Sequence, residues 1–262
     1  MIPTFKQQLI PRMENNFFAY MSYYARRLPG MRVIDQENIL IVDSSFSSDT
    51  FNYICRARFD ADVNRKINLA VGYFKSINLP YAWWVTPHSQ PHDLGTYLER
   101  CGLQQTEQDL GMIADLSKLP VLKTPEGLEV RRVNSIERLH DFAFVVSSVF
   151  DPPDPVVRLF YENVSSVVLT EHCPMRLFVA YFDEKPVSTS ALFMDVEMAG
   201  IYSVATLQTF RRRGFGTSVT LSALQAARHE GLEFAALQAS EDGKHIYEIL
   251  GFENCCDFYV YQ

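Results

Sequence analysis

The densest chemistry in this sequence lies in one run of fourteen residues, Val204-Ala205-Thr206-Leu207-Gln208-Thr209-Phe210-Arg211-Arg212-Arg213-Gly214-Phe215-Gly216-Thr217. A strand-like stretch ends, a polar turn carries three arginines and two glycines, and a helix begins. The first turn of a helix leaves its N–H groups unpaired and carries partial positive charge. Glycine lets an anion approach the backbone closely. Three adjacent guanidiniums add full charge in an otherwise acidic half of the chain. Such an arrangement is suited to cradling a phosphate. The run lacks the Lys-Ser/Thr ending of a nucleoside-triphosphate loop and the third glycine of a dinucleotide fingerprint. Taken alone, it also reads as an exposed basic turn ahead of a helix.

The elements that must position this run follow from periodicity. Phe17, Phe18, Tyr20, Met21 and Tyr24 at helical spacing predict a helix over 14–28, stopped by Pro29-Gly30. Short strands follow near 31–34, 39–42 and 51–59. Asp60 and Asp62 are placed to cap a helix, and Val63, Ile67, Ala70, Phe74 and Ile77 form its stripe. After Pro80 come a strand over 81–85, a short helix over 92–101 and a strand near 110–116. The stretch 117–127 holds Pro120, Pro125 and Gly127 and reads as a linker. Beyond it, a strand at 128–133 precedes a helix opened by Asn134 with Glu137 three residues on. Asp151-Pro152-Pro153-Asp154-Pro155 is a rigid loop before a helix near 156–164. Strands at 176–182, 186–196 and 200–206 lead to a helix over 214–230, ended by Gly231. A strand at 234–238, a helix at 244–250 and a strand at 253–261 complete the chain. The order strand, polar loop, short helix, glycine, strand occurs twice, around Trp83–Leu103 and around Ala236–Phe252.

Composition sets the frame. The chain has 262 residues, 47% hydrophobic and 21% charged, and fits one large or two small globular domains. No apolar run approaches the ~18 residues of a membrane helix. The opening, Met1-Ile2-Pro3-Thr4-Phe5-Lys6-Gln7-Gln8, lacks the basic-then-apolar pattern of a signal peptide. Five cysteines, an odd number at irregular spacing, point to reduced thiols and a cytoplasmic location. Net charge is −7, with residues 1–125 at +1 and 126–262 at −8. That balance speaks against nucleic acid as a partner. It agrees with a cationic acceptor or simply with a soluble acidic face. His88 and His92 are four apart with a proline between and no third ligand near, so no metal site is expected. Cys255 and Cys256 are expected on opposite faces of a strand. His172-Cys173 reads as a loop pair, and one of Trp83 and Trp84 as core.

The run at 204–217, followed by Ser240 and by Tyr247-Glu248-Ile249-Leu250-Gly251-Phe252, resembles the GNAT superfamily of N-acetyltransferases. The first run has that family's Arg/Gln-x-x-Gly-x-Gly/Ala pattern after a strand. The second has its polar residue seven positions before a Tyr-x-x-Leu-Gly-Phe helix end. The resemblance covers residues 126–262, and residues 1–122 resemble the degenerate first domain of two-domain members. It implies a mixed α/β (α+β) fold around a mixed, mostly antiparallel sheet, and acetyl-CoA as acyl donor with no metal. Backbone N–H groups of Arg212, Arg213, Gly214, Phe215, Gly216 and Thr217, with Arg211 beside them, would hold the CoA pyrophosphate. The backbone of Val204, Ala205 and Thr206 would line the pantetheine arm, Ser240 would touch it, and Tyr247 would protonate the departing sulfur. The implied reaction is direct acetyl transfer to the amine of a small molecule or peptide, with the loop around Asp151 and Asp154 shaping acceptor choice.

This sequence departs from the family in two ways. Strand residues Gly200-Ile201-Tyr202-Ser203 hold no carboxylate to serve as base, and Ser240 stands where asparagine is commoner. Asp195, Glu197, Glu241 and His245 are the base candidates, beside water or an amine that arrives neutral. Two other readings stay open: a non-catalytic acyl-CoA sensor, and an aminoacyl-tRNA-dependent transferase, which the CoA cradle disfavours. No membrane partner is expected, and a homodimer is left open.

Overall fold

The computed structural model describes residues 7–262. Residues 1–6, read above for a leader segment, lie outside the described residues. Apolar side chains spaced three and four apart make the helices, and short β-branched runs make the strands. In chain order these are α1 (Ile10–Ser22), β1 (Arg32–Gln36), β2 (Ile39–Asp43), β3 (Tyr53–Cys55), α2 (Val63–Ile77), β4 (Ala82–Val85), α3 (Leu94–Arg100) and β5 (Gln105–Asp115). Then follow β6 (Leu128–Arg132), α4 (Ile136–Ser147), α5 (Pro155–Asn163), α6 (Ser165–Val168), β7 (Met175–Phe182), β8 (Lys185–Met194) and β9 (Ala199–Thr206). The last are α7 (Phe215–His229), β10 (Phe234–Ala239), α8 (Lys244–Ile249) and β11 (Glu253–Tyr261).

The chain divides into two units, one of Met1–Gly111 with Cys255–Gln262 and one of Met112–Asn254. The division therefore falls inside β5, not in the stretch 117–127 that reads as a linker. Proline and glycine mark a bend, and only partner contacts mark a boundary. The last strand, grouped by sequence with the second half, counts with the first unit. The cause is its antiparallel pairing with β4, Tyr259 opposite Val85 and Tyr261 opposite Trp83.

In the first unit, β1 and β3 flank β2 in antiparallel register, and β3 runs parallel to β4 through Tyr53–Ala82 and Ile54–Trp83. Its core gathers Ile54, Ile67, Phe74, Trp83, Leu94 and Leu98, so Trp83 is the core tryptophan. In the second unit, β6, β7, β8 and β9 pair antiparallel in sequence order, and β10 joins β9 in parallel. Leu139, Phe142 and Val145 of α4 and Val219, Ala223, Leu224 and Ala227 of α7 are buried in that unit.

Local signals place most elements within a few residues, with instructive exceptions. The first helix starts at Ile10, because Pro11 suits a first turn, where its missing N–H costs nothing. It ends at Ser22, whose hydroxyl bonds back to the Phe18 carbonyl at 2.8 Å. Asp62 precedes α2 but makes no side-chain cap, and its φ is +53°. Asp60 pairs with Lys66 instead. Ser135, one residue after the expected Asn134, caps α4 by accepting from the Arg138 N–H. Helices α3 and α8 end alike. The N–H of Leu103 reaches the Leu98 carbonyl and that of Phe252 reaches Tyr247, with Gly102 and Gly251 at positive φ between. The repeat seen in sequence is thus a repeat of hydrogen bonds.

Candidate functional site

Strand β9 is irregular where the chemistry was expected. Thr189 of β8 lies opposite Ala205, but Ala191 lies opposite Tyr202, so β9 carries one extra residue. Ser203, inside this bulge, has φ +48°. Side chains of β8 take up the displaced carbonyls. Ser188 Oγ donates to the Ala205 carbonyl at 2.7 Å, and Thr189 Oγ1 donates to that of Ser203 at 3.0 Å. Ser188 also lies 2.8 Å from Thr206 Oγ1. Both β8 residues are fully buried, so these bonds replace water that cannot enter.

On its other edge, β9 pairs with β10 at only two positions, Ala199–Ala235 and Gly200–Ala236. The strands run on to Thr206 and Ala239 outside that ladder. The edge of β9 from Val204 to Thr206 is therefore left for another extended partner.

After Thr206 the chain makes one 3-10 turn, Gln208–Phe210, and enters α7. Arg212 and Gly214 take left-handed conformations, φ +60° and +77°. Gly214 is the N-cap and provides no side-chain acceptor, so the first-turn donors of α7 stay uncapped. Arg211 Nε donates to the Thr206 carbonyl at 3.2 Å, tying the turn to the strand. The Arg213 guanidinium stands over three rings, 4.5 Å from the centroid of Phe182, 5.5 Å from Phe210 and 5.0 Å from Phe215. From 198 to 229 the sequence contains no acidic residue, within a half that is strongly acidic overall.

Gly216 brings the parts together. A Cβ there would lie 3.2 Å from Thr206 Oγ1 and 3.7 Å from Ile246 Cδ1 of α8. Gly243 does the same for the second group, since its Cβ would lie 3.3 Å from Tyr247 Cε2 and 3.4 Å from Ser240 Oγ. Tyr247 is 9% exposed and its ring meets Phe252 edge-on at 6.0 Å. The structure thus brings Thr206 beside Gly216, and sets both Ser240 and Tyr247 against Gly243.

Three of the four base candidates have partners close by in sequence, and the fourth, Glu197, lends its N–H to the turn. Asp195 Oδ1 accepts from the N–H groups of Glu197 and Met198, so both acids belong to the turn joining β8 to β9. Glu241 faces Lys244, and His245 faces Glu248. Asp154 caps α5 through the Val156 N–H at 2.8 Å. His88 pairs with Glu14. Sequence reasoning passed over Ser188, Thr189, Gly243 and the ring partners Phe182 and Phe210. The signal for the first two was a polar run, Ser188-Thr189-Ser190, inside an otherwise apolar strand. Phe182 meets Arg213 only through the fold and leaves no local mark, whereas Gly243 and Phe210 act on neighbours three or four residues away.

Residues 134–252 match the model of the acetyltransferase (GNAT) family. Comparison with the curated proteins gives no match. Among solved structures, a GCN5-related N-acetyltransferase from Kribbella flavida is 18% identical, with a TM-score of 0.73 over 94% of this chain and 93% of that one. A conserved protein of unknown function from Staphylococcus epidermidis is 14% identical, with a TM-score of 0.68 over 91% and 96%. A tandem GNAT protein from the clavulanic acid biosynthesis pathway, solved without AcCoA, is 11% identical, with a TM-score of 0.58 over 96% and 94%. At such identities the likeness is one of fold, a mixed α/β fold along nearly the whole chain.

Proposed function

We propose, from the match of residues 134–252 to the acetyltransferase (GNAT) family model, that this chain is an N-acetyltransferase that moves an acetyl group from acetyl-CoA to the amine of a small molecule or peptide. The observation that carries this reading is the pairing of a strand edge left open at Val204–Thr206 with the uncapped, glycine-led start of the helix that follows it. The residues present suit the donor. N–H groups of Arg212 through Thr217 offer first-turn donors to a pyrophosphate, with no carboxylate nearby in sequence to repel it. The free edge of β9 at Val204, Ala205 and Thr206 offers backbone groups to an amide-bearing arm, and Ser240, set with Tyr247 against Gly243, offers a hydroxyl.

When bound, acetyl-CoA supplies an acyl group activated as a thioester. The chain's part is to position it and to move protons. Backbone donors of β9 polarise the thioester carbonyl in a site partly closed to water. Tyr247 gives its hydroxyl proton to the leaving sulfur, which departs more readily as a thiol of pKa about 8.5 than as a thiolate. An acceptor amine that arrives neutral needs no protein base, in keeping with the local engagement of Asp195, Glu241 and His245. The odd, irregularly spaced cysteines support a cytoplasmic setting. The first unit shapes the acceptor side or is structural.

The engagement of three of the four base candidates, Asp195, Glu241 and His245, also favours a second reading, an acyl-CoA-binding sensor without turnover. One experiment separates the two. Acetyl-CoA at a hundred times its Kd should stabilise the protein by about 2.7 kcal/mol, and an amine panel with free-thiol detection should show CoA release. No thermal shift with any acyl-CoA at millimolar concentration rejects both readings. A shift with no thiol release for any amine leaves the sensor.

A further inference from the structure

Cys255 and Cys256 are neighbours on β11, where alternation would send their side chains to opposite faces. The structure brings their sulfurs to 4.0 Å instead. The Cys255 thiol donates to the Gly111 carbonyl of β5 at 3.1 Å. Gly111 makes the room, since a Cβ there would overlap the Cys256 sulfur and lie 3.1 Å from the Met13 methyl. Both cysteines are half-buried, whereas Cys55 and Cys173 are buried and Cys101 stands apart just after α3. Cys255, Cys256, Gly111 and Met13 all belong to the first unit, and none enters the proposed acyl-transfer site.

We propose that Cys255 and Cys256 form a vicinal dithiol site for a trivalent arsenical. Two sulfurs on one pyramidal trivalent arsenic, with bonds of about 2.3 Å and an angle of about 100°, stand about 3.5 Å apart. The sulfurs here, 4.0 Å apart, need to close by only about half an ångström to reach that spacing. The ligand class follows from what is missing around them. Among the described residues no three His, Cys, Asp or Glu side chains gather to hold a metal ion. A zinc ion bound by protein side chains usually has four ligands, and two thiolates leave it short. A trivalent arsenical brings its own third substituent and needs two sulfurs only.

The reaction balances without an oxidant. An organoarsine oxide, R–As=O, condenses with two S–H groups to give R–As(S–)2 and one water. Two As–S bonds form, the As=O and two S–H bonds break, and arsenic stays trivalent. The neighbouring Cys255 sulfur and burial hold the Cys256 thiol protonated, far above the usual range. Protonated thiols suit this chemistry, since the departing oxygen takes both protons.

The test uses the full chain with one equivalent of phenylarsine oxide in an excess of glutathione, followed by desalting and intact-mass measurement. One arsenical per chain should be retained. It should map by digestion to the segment holding residues 255 and 256, and 2,3-dimercaptopropanol should release it. Cys255→Ser and Cys256→Ser should each lose it, and Cys101→Ser should keep it. No retention by the parent, an adduct on any other cysteine, or undiminished retention in either β11 variant overturns the proposal. If a β11 variant does not fold, the mapping on the parent protein decides.

Discussion

Tyr247→Phe removes one oxygen and its proton but keeps the ring that meets Phe252 and lines Gly243. If the hydroxyl protonates the departing sulfur, melting temperature and acetyl-CoA affinity should change little. Both kcat and kcat/KM should fall by roughly 10²–10⁴-fold. Near-parent kcat with a true acceptor would make the tyrosine a packing residue. Asp109 on β5 concerns stability instead. Burial, helped by the Glu107 charge, pushes its carboxyl up to about 6. A carboxyl whose folded pKa lies above the unfolded value of about 3.9 binds its proton more tightly in the folded state. Its contribution is fully present below about pH 4 and is lost as pH rises through about 6. Asp109→Asn should therefore melt above the parent near pH 7.5 and converge with it near pH 4. A melting difference that is the same at both values would show that Asp109 does not titrate in this window.

At the scale of elements, the turn between β9 and α7 is where backbone geometry and charge meet. Gly214 sits at φ +77°. Alanine there should cost about 1–2 kcal/mol, the usual penalty for a Cβ in left-handed backbone, as read by denaturant unfolding. Glutamate at Gly214 or Gly216 should do more. At Gly216 its Cβ would press Thr206 Oγ1 at 3.2 Å, and either carboxylate would enter the first turn of α7. The stabilisation by acetyl-CoA should vanish while the protein still melts cooperatively. A Gly216→Glu protein that keeps the parent's thermal shift would place the pyrophosphate elsewhere. The arginines of this turn divide the labour. Arg211 ties it to the strand, and Arg213 rests on three phenylalanine rings.

At the scale of the whole molecule, the β–α–β arrangement of the cradle occurs twice. In the first unit β3, α2 and β4 repeat the pattern of β9, α7 and β10, again with a parallel ladder of two residue pairs. The chemistry at the junction differs. Where the second unit has Arg212, Arg213 and Gly214, the first has Asp60, Ala61 and Asp62, with Asp62 itself at positive φ. Two carboxylates there would repel a pyrophosphate. Calorimetric titration should give one acetyl-CoA per chain, and two equivalents would overturn this assignment of the first unit.

What the sequence determined by itself is what local physics writes into short stretches. Periodicity placed α2, α4 and α7, glycine and proline ended them, and a run of arginines and glycines marked the turn after β9. Those signals need no distant partner, because helix propensity, capping and positive φ act within a few residues. The tertiary structure alone decided which strands meet. It moved β11 to the first unit through its ladder with β4, and divided the chain inside β5. It parted β9 from β10 after two residue pairs, and buried Ser188 and Thr189 against the bulge of β9. It also turned two neighbouring cysteines toward one another beside Gly111. Strand pairing joins residues far apart in the chain, and its energy resides in contacts that no window of sequence contains.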